Sequence, residues 1–191
     1  MFKLIAQPND WEKTVRAATS HPEGGGVREE LYRSFWAQWL KRVQNERPGW
    51  SRATQPPADS WFTMTAGTPG ATFYTSFTRQ GLSSELVFEH RDADINTSRL
   101  QQVQARQDEL EQAYGAALDF QSLPNRKATR IAEYLPAATV TVQADWATYA
   151  DWLMDRQTRL RAALKAVGGV PDGTAPLGFT TAETEPAPPA S

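Results

Sequence analysis

From Val27 to about Gln44 the apolar residues are Val27, Leu31, Phe35, Trp36, Trp39, Leu40 and Val43. Steps of three and four place them on one wide helical face. Pro48-Gly49 ends that helix, and Pro56-Pro57 keeps the following stretch extended. The period then changes. Residues 60–66, 71–78 and 84–90 are short runs rich in Phe, Tyr, Trp, Val and Thr, with Phe73, Thr75 and Phe77 alternating against Thr72, Tyr74 and Ser76. Gly67-Thr68-Pro69-Gly70 and Arg79-Gln80-Gly81 separate them, which predicts three antiparallel strands in a meander.

A long helix is predicted from about Ile95 to Tyr114, with Leu100, Val103, Leu110 and Tyr114 on one face and Gly115 at the C-cap position. Residues 117–123 and 127–134 read as two more strands joined by a turn at Pro124-Asn125, and Thr139–Val142 as a weaker strand. A final helix runs from about Ala144 to Val167, burying Tyr149, Trp152, Leu153, Leu160, Leu164 and Val167. At the front, Pro8-Asn9-Asp10 caps a short helix from Trp11 to about Thr19, and Ser20 to Gly26 reads as a linker. The expected fold is α+β: an antiparallel sheet of about five strands covered on one face by helices, in the order α-βββ-α-ββ-α after a short N-terminal helix. Three parts follow: residues 1–26, a single domain at 27–167, and a disordered Pro/Ala-rich acidic tail at 168–191.

Composition narrows the chemistry. The 191 residues include two histidines, no cysteine and seven tryptophans. Without cysteine there is no disulfide framework and no thiolate metal site. His21 falls in the linker and His90 at a strand end, so neither has a partner for metal binding or for a Ser-His-Asp arrangement. No apolar run is long enough for a membrane span, and no signal-peptide h-region is present, which leads to an expected cytoplasmic placement. Charge totals 20 basic and 22 acidic residues, but 168–191 holds Asp172, Glu183 and Glu185 with no Lys or Arg, leaving the rest at 20 against 19. A near-neutral body needs a local patch to bind nucleic acid.

The acidic group Glu85, Glu89, Asp92 and Asp94 is the one carboxylate cluster with a metal-site look, since alternation puts Glu85 and Glu89 on one face of a strand. The residue two after Glu89 is Arg91 rather than the lysine a magnesium-dependent nuclease wants, and acids at 92 and 94 suit a helix N-terminus. Gly24-Gly25-Gly26 lacks the preceding strand and the lysine of a phosphate loop. No catalytic residue, metal or cofactor is assigned. The basic candidates for nucleic acid are Arg126, Lys127 and Arg130 at one hairpin, with Lys41 and Arg42 on the first helix second; Arg47 and Arg52 follow them, and Trp50 among them is placed to stack on bases. Trp36, Trp39 and Trp152 read as core and Trp61 as packed, whereas Trp11, Trp50 and Trp146 lie near element ends and are the candidates for partner contacts.

Phe35-Trp36, Ser84-Glu85-Leu86-Val87-Phe88, Glu109-Leu110-Glu111-Gln112-Ala113-Tyr114-Gly115, then Leu118, Phe120, Leu123 and Ala128-Thr129-Arg130-Ile131 together resemble a bacterial and archaeal domain-of-unknown-function family. That family usually forms the C-terminal domain of proteins whose N-terminal part is restriction-endonuclease-like. Phe2 to Trp11 looks like the junction between the two parts, and Phe120 departs from the family, which more often shows Trp there. The resemblance implies association with DNA-directed or genome-defence nucleases and supplies no catalytic residue. Arg130 and Glu85 match family positions, for which a buried ion pair between strands is one explanation and ligand contact the other.

The leading expectation is thus a non-catalytic accessory module of a nuclease-like or genome-defence protein, contacting DNA or RNA. The alternative is a protein-interaction or dimerisation module that uses exposed tryptophans to meet a nuclease-like domain or a second copy. The least favoured is a divergent metal-dependent nuclease using Glu85, Glu89 and Asp92.

Overall fold

The computed structural model describes residues 24–123 and 126–174. Helix α1 (Gly24–Glu46) comes first, then strands β1 (Trp61–Thr65), β2 (Ala71–Thr78) and β3 (Gly81–Phe88). Helices α2 (Ala93–Gln104) and α3 (Gln107–Tyr114) follow, then β4 (Asp119–Ser122), β5 (Thr129–Leu135) and, after a single 3-10 turn at Gln143–Asp145, α4 (Trp146–Ala166). The five strands form one antiparallel sheet in the order β1-β2-β3-β5-β4. This is the α+β architecture expected from the periodicity. No described helix is long and apolar enough to cross a membrane.

Register decides what each face of the sheet carries. Phe62 and Met64 of β1, Phe73 and Phe77 of β2, Leu82, Leu86 and Phe88 of β3 and Ile131 of β5 share one face, and all belong to the packed core with residues of every helix. At its centre is an aromatic cluster. The Phe77 ring lies 5.0 Å from Phe35, 5.6 Å from Trp36 and 6.1 Å from Tyr149, mostly edge-on. Each such pair contributes about 0.5–1.5 kcal/mol beyond its buried area. Val87 and Ala132 are buried too, but on the opposite face and outside that core. Among the described residues the helices cover one side of the sheet only.

Several local readings change. The predicted helix from 95 to 114 is two helices: Arg106 opens α3 and donates its guanidinium to the carbonyl of Val167 and to Glu109, and Asp108 and Glu109 favour a new helix N-terminus there. Gly115 does cap α3 in the left-handed region, at φ 87°. Thr139–Val142 is not a strand but a turn whose Val140 carbonyl accepts the Trp146 indole N–H at 2.9 Å. Gly24 to Gly26, read as linker, belong to the first turn of α1. Residues 168–174, assigned to the disordered tail, pack on α2: Arg99 Nε donates to the Asp172 carbonyl at 3.2 Å, and Gly173 sits against Ile95. The N-terminal helix with Trp11, His21, the Pro124-Asn125 turn and the tail after Thr174 lie outside the described residues.

Candidate functional site

The uncovered sheet face holds two of the four carboxylates singled out above, Glu85 and Glu89. Glu85 lies at its centre in β3, opposite Tyr74 of β2 and Ala132 of β5, and only 3% exposed. Ser83 Oγ donates to its Oε1 at 2.5 Å, and Arg130 reaches its Oε2 at 3.4 Å. Arg130 in turn donates through Nε to Gln121, whose amide donates to Asp119 and, at 3.3 Å, to the Tyr134 hydroxyl. Tyr74 donates to Glu89 at 3.0 Å. Burial pushes the Tyr74 and Tyr134 phenols up, and the carboxylate of Glu89 adds to the effect at Tyr74. The buried Glu85 thus has an arginine partner on the neighbouring strand, which is the strand-joining arrangement that offsets the desolvation of both charges. Asp92 instead caps α2, accepting from the Asp94 amide at 3.0 Å. Among the described residues no cluster of His, Asp or Glu has the geometry to hold a metal ion.

The five basic candidates do not form one patch. Arg126 and Lys127 are exposed at the start of β5, while Arg130 turns inward to Glu85. Lys127 Nζ donates to the Arg91 carbonyl at 3.3 Å. Lys41 is exposed on α1, which packs over β1 and β2, at the opposite side of the sheet from the β4–β5 hairpin. Arg42 is held by two carboxylates, Asp151 of α4 at 2.5 Å and Glu46 at 2.8 Å, and the hydrogen bond to Asp151 raises its pKa. His90 is structural: its amide donates to Asn96 at 2.8 Å, and its Nδ1 accepts the Asp92 amide at 3.2 Å.

A different cluster forms where α1 meets β1 and α4. Past Glu46 the chain turns through Gly49 at φ 96°, and the Trp50 carbonyl accepts the Thr65 amide at 2.9 Å. That bond lays the 50–53 segment beside the sheet edge. Arg161 arrives from α4 and places its guanidinium 4.3 Å from the centre of the Trp50 ring and 3.9 Å from that of Phe73. One of its nitrogens donates to the Thr65 carbonyl at 3.0 Å; the buried Nε and the other terminal nitrogen have no partner. Burial alone lowers its pKa to about 10. Arg47 comes within 5.8 Å of the same indole, and Arg52 is exposed two residues beyond it. None of Arg47, Arg52 and Arg161 has a carboxylate in ion-pair range among the described residues. Lys165 stands one turn after Arg161 on α4, exposed and with no carboxylate in ion-pair range among the described residues.

Sequence reading placed Arg47, Trp50 and Arg52 together but missed Arg161, whose only signal was its place among basic residues spread around the last helix. It also misplaced two tryptophans. Trp146, a candidate for partner contact, is 6% exposed and packs 5.6 Å from Phe35. Trp61, read as packed, is 39% exposed. Trp50 is partly buried against the core under Arg161.

The model of a family described as Domain of unknown function (DUF4268) matches residues 31–167. No curated protein and no solved structure matches the chain.

Proposed function

The chain belongs to the DUF4268 family of unknown function, and from that premise we propose that it is a non-catalytic α+β module that contacts nucleic acid on behalf of a nuclease-like or genome-defence partner. The resemblance set out above supports the partner. The contact itself is supported by one observation: Arg47 and Arg161 meet at the Trp50 ring, with the exposed Arg52 two residues on, and none of the three has a carboxylate in ion-pair range among the described residues. Unpaired cations keep their field in solvent, and phosphate neutralisation is the dominant, salt-dependent source of nucleic-acid affinity. Lys165 adds an exposed cation one turn further along α4. Arg130, by contrast, spends its charge on Glu85, so this reading moves the main contact from the β4–β5 hairpin to the Trp50 corner.

The test is a salt titration of the chain against labelled DNA and RNA. Affinity should fall steeply with salt, and Arg47→Glu with Arg52→Glu should weaken binding more than Arg126→Glu with Lys127→Glu. A chain that binds nothing at low salt would sink the proposal. Equal losses from both double variants would return the contact to a general surface charge.

A further inference from the structure

β1 is an edge strand, and its alternate residues hydrogen-bond in opposite directions. The Phe77 amide donates to the Ser60 carbonyl, which sets the even-numbered residues as those bonded to β2; the Thr65 amide accordingly points outward, to Trp50. Trp61 and Thr63 share that outward orientation, so their N–H and C=O groups face away from the sheet. Past Trp50 the chain diverges from the strand. Between the two runs lies a groove, open to solvent and lined by Ala53, Gln55, Pro57, Trp61, Phe62 and Thr63. Pro56 and Pro57 stiffen its outer wall. Trp61 is the most exposed aromatic residue named in or around it, while the Trp50 ring is engaged by Arg161. Arg52 immediately precedes the groove wall, and Arg79 lies in the β2–β3 turn at the Trp61 end of the sheet. Asp59 is the one carboxylate between residues 47 and 65.

We infer that this groove takes a base of a single-stranded nucleic acid, stacked on Trp61, with Arg52 on a neighbouring phosphate. The inference rests on the nucleic-acid reading above and narrows it to a substrate class. An exposed indole in a groove whose wall begins next to the unpaired Arg52 is a combination suited to single strands, because every base has a face to stack and every nucleotide a phosphate. A duplex keeps its bases stacked on one another, and presenting one to this groove would require flipping it out. The outward N–H and C=O groups of Trp61 and Thr63, with the Gln55 amide, offer both donors and acceptors to a base edge. They favour no one base strongly.

Fluorescence anisotropy of the full chain with labelled oligothymidylate and with a DNA hairpin duplex of equal length, both at low salt, separates the possibilities. Trp61→Ala should weaken oligothymidylate binding roughly tenfold to a hundredfold and leave duplex binding unchanged, while Trp61→Phe retains most of the single-strand affinity. Arg47→Glu with Arg52→Glu should weaken both. Unchanged single-strand affinity in Trp61→Ala, or an equal loss on the duplex, would overturn the single-strand inference and leave the phosphate-contact reading standing. No binding of either probe by the wild-type chain would overturn both.

Discussion

Two arginines in this fold are set among aromatic rings and come to opposite uses. Arg130 lies on the uncovered sheet face within electrostatic reach of Tyr134, and its guanidinium is shared between Glu85 and Gln121. Arg161 lies on the helix-covered side between Trp50 and Phe73, with one carbonyl and no carboxylate. The first is a closed network in which the guanidinium is matched by a carboxylate and tied across strands. The second leaves its positive charge uncompensated beside Arg47 and Arg52. Residue type did not decide between a structural and a recognition role here; what reached each guanidinium across the fold did.

Breaking the closed network should have the largest effect. Glu85→Ala leaves Arg130 with its charge largely buried and unpaired, and the expected loss is about 3 kcal/mol in urea unfolding. A loss below about 1 kcal/mol would show that the pair does not hold the sheet. The affinity of the folded fraction for nucleic acid should stay as it was. At the other region the signature is reversed. Arg47→Glu with Arg52→Glu should reduce the slope of log K against log salt by about 2, one for each lost phosphate contact, with stability within about 0.5 kcal/mol of wild type.

Arg161→Met should alter stability by no more than about 1 kcal/mol, because losing the ring contacts is offset by removing two buried donors that have no acceptor. A loss above about 2 kcal/mol would mean that the guanidinium has a partner not accounted for. The smallest effect is at alkaline pH. The Tyr74 and Tyr114 phenols are pushed above their usual value of 10.0, mainly by burial and further by Glu89 and Glu133. An unfolded chain ionises these phenols first, so the stability they hold below about pH 10 is lost as pH rises through their folded values. Arg161 acts in the opposite sense, since burial lowers its pKa. Tyr114→Phe should make the alkaline decline shallower in thermal melts between about pH 8 and 11; an unchanged profile would remove that phenol as a cause.

Periodicity carried the fold well because burial in this chain follows it. Phe35, Trp36 and Trp39 are fully buried from α1, and β2 alternates buried and half-buried residues along its length. The break between α2 and α3 was harder to read, since it depends on Arg106 reaching a carbonyl more than sixty residues further along the chain. The site was legible only in part, for the same reason. Arg47, Trp50 and Arg52 are neighbours in sequence, but Arg161 joins them only once α4 crosses the sheet. The pairing of Arg42 with Asp151 and of Arg130 with Glu85 is likewise long-range. Trp61 was misread because a strand's first residue reveals its face only through register: opposite Ser76, it falls on the uncovered side.

The tryptophan indoles provide a direct test of which region meets the ligand, because each reports from a different place. Trp36 and Trp146 donate their indole N–H groups to the Asp59 and Val140 carbonyls inside the packed side of the fold, whereas Trp50 sits in the arginine corner and Trp61 at the groove. Titrating the nitrogen-15-labelled chain with single-stranded DNA and following the seven indole N–H resonances should shift Trp50 and Trp61 and leave Trp36, Trp39 and Trp146 in place. Unmoved Trp50 and Trp61 signals, with the backbone amides of Arg126 to Arg130 shifting instead, would contradict the account.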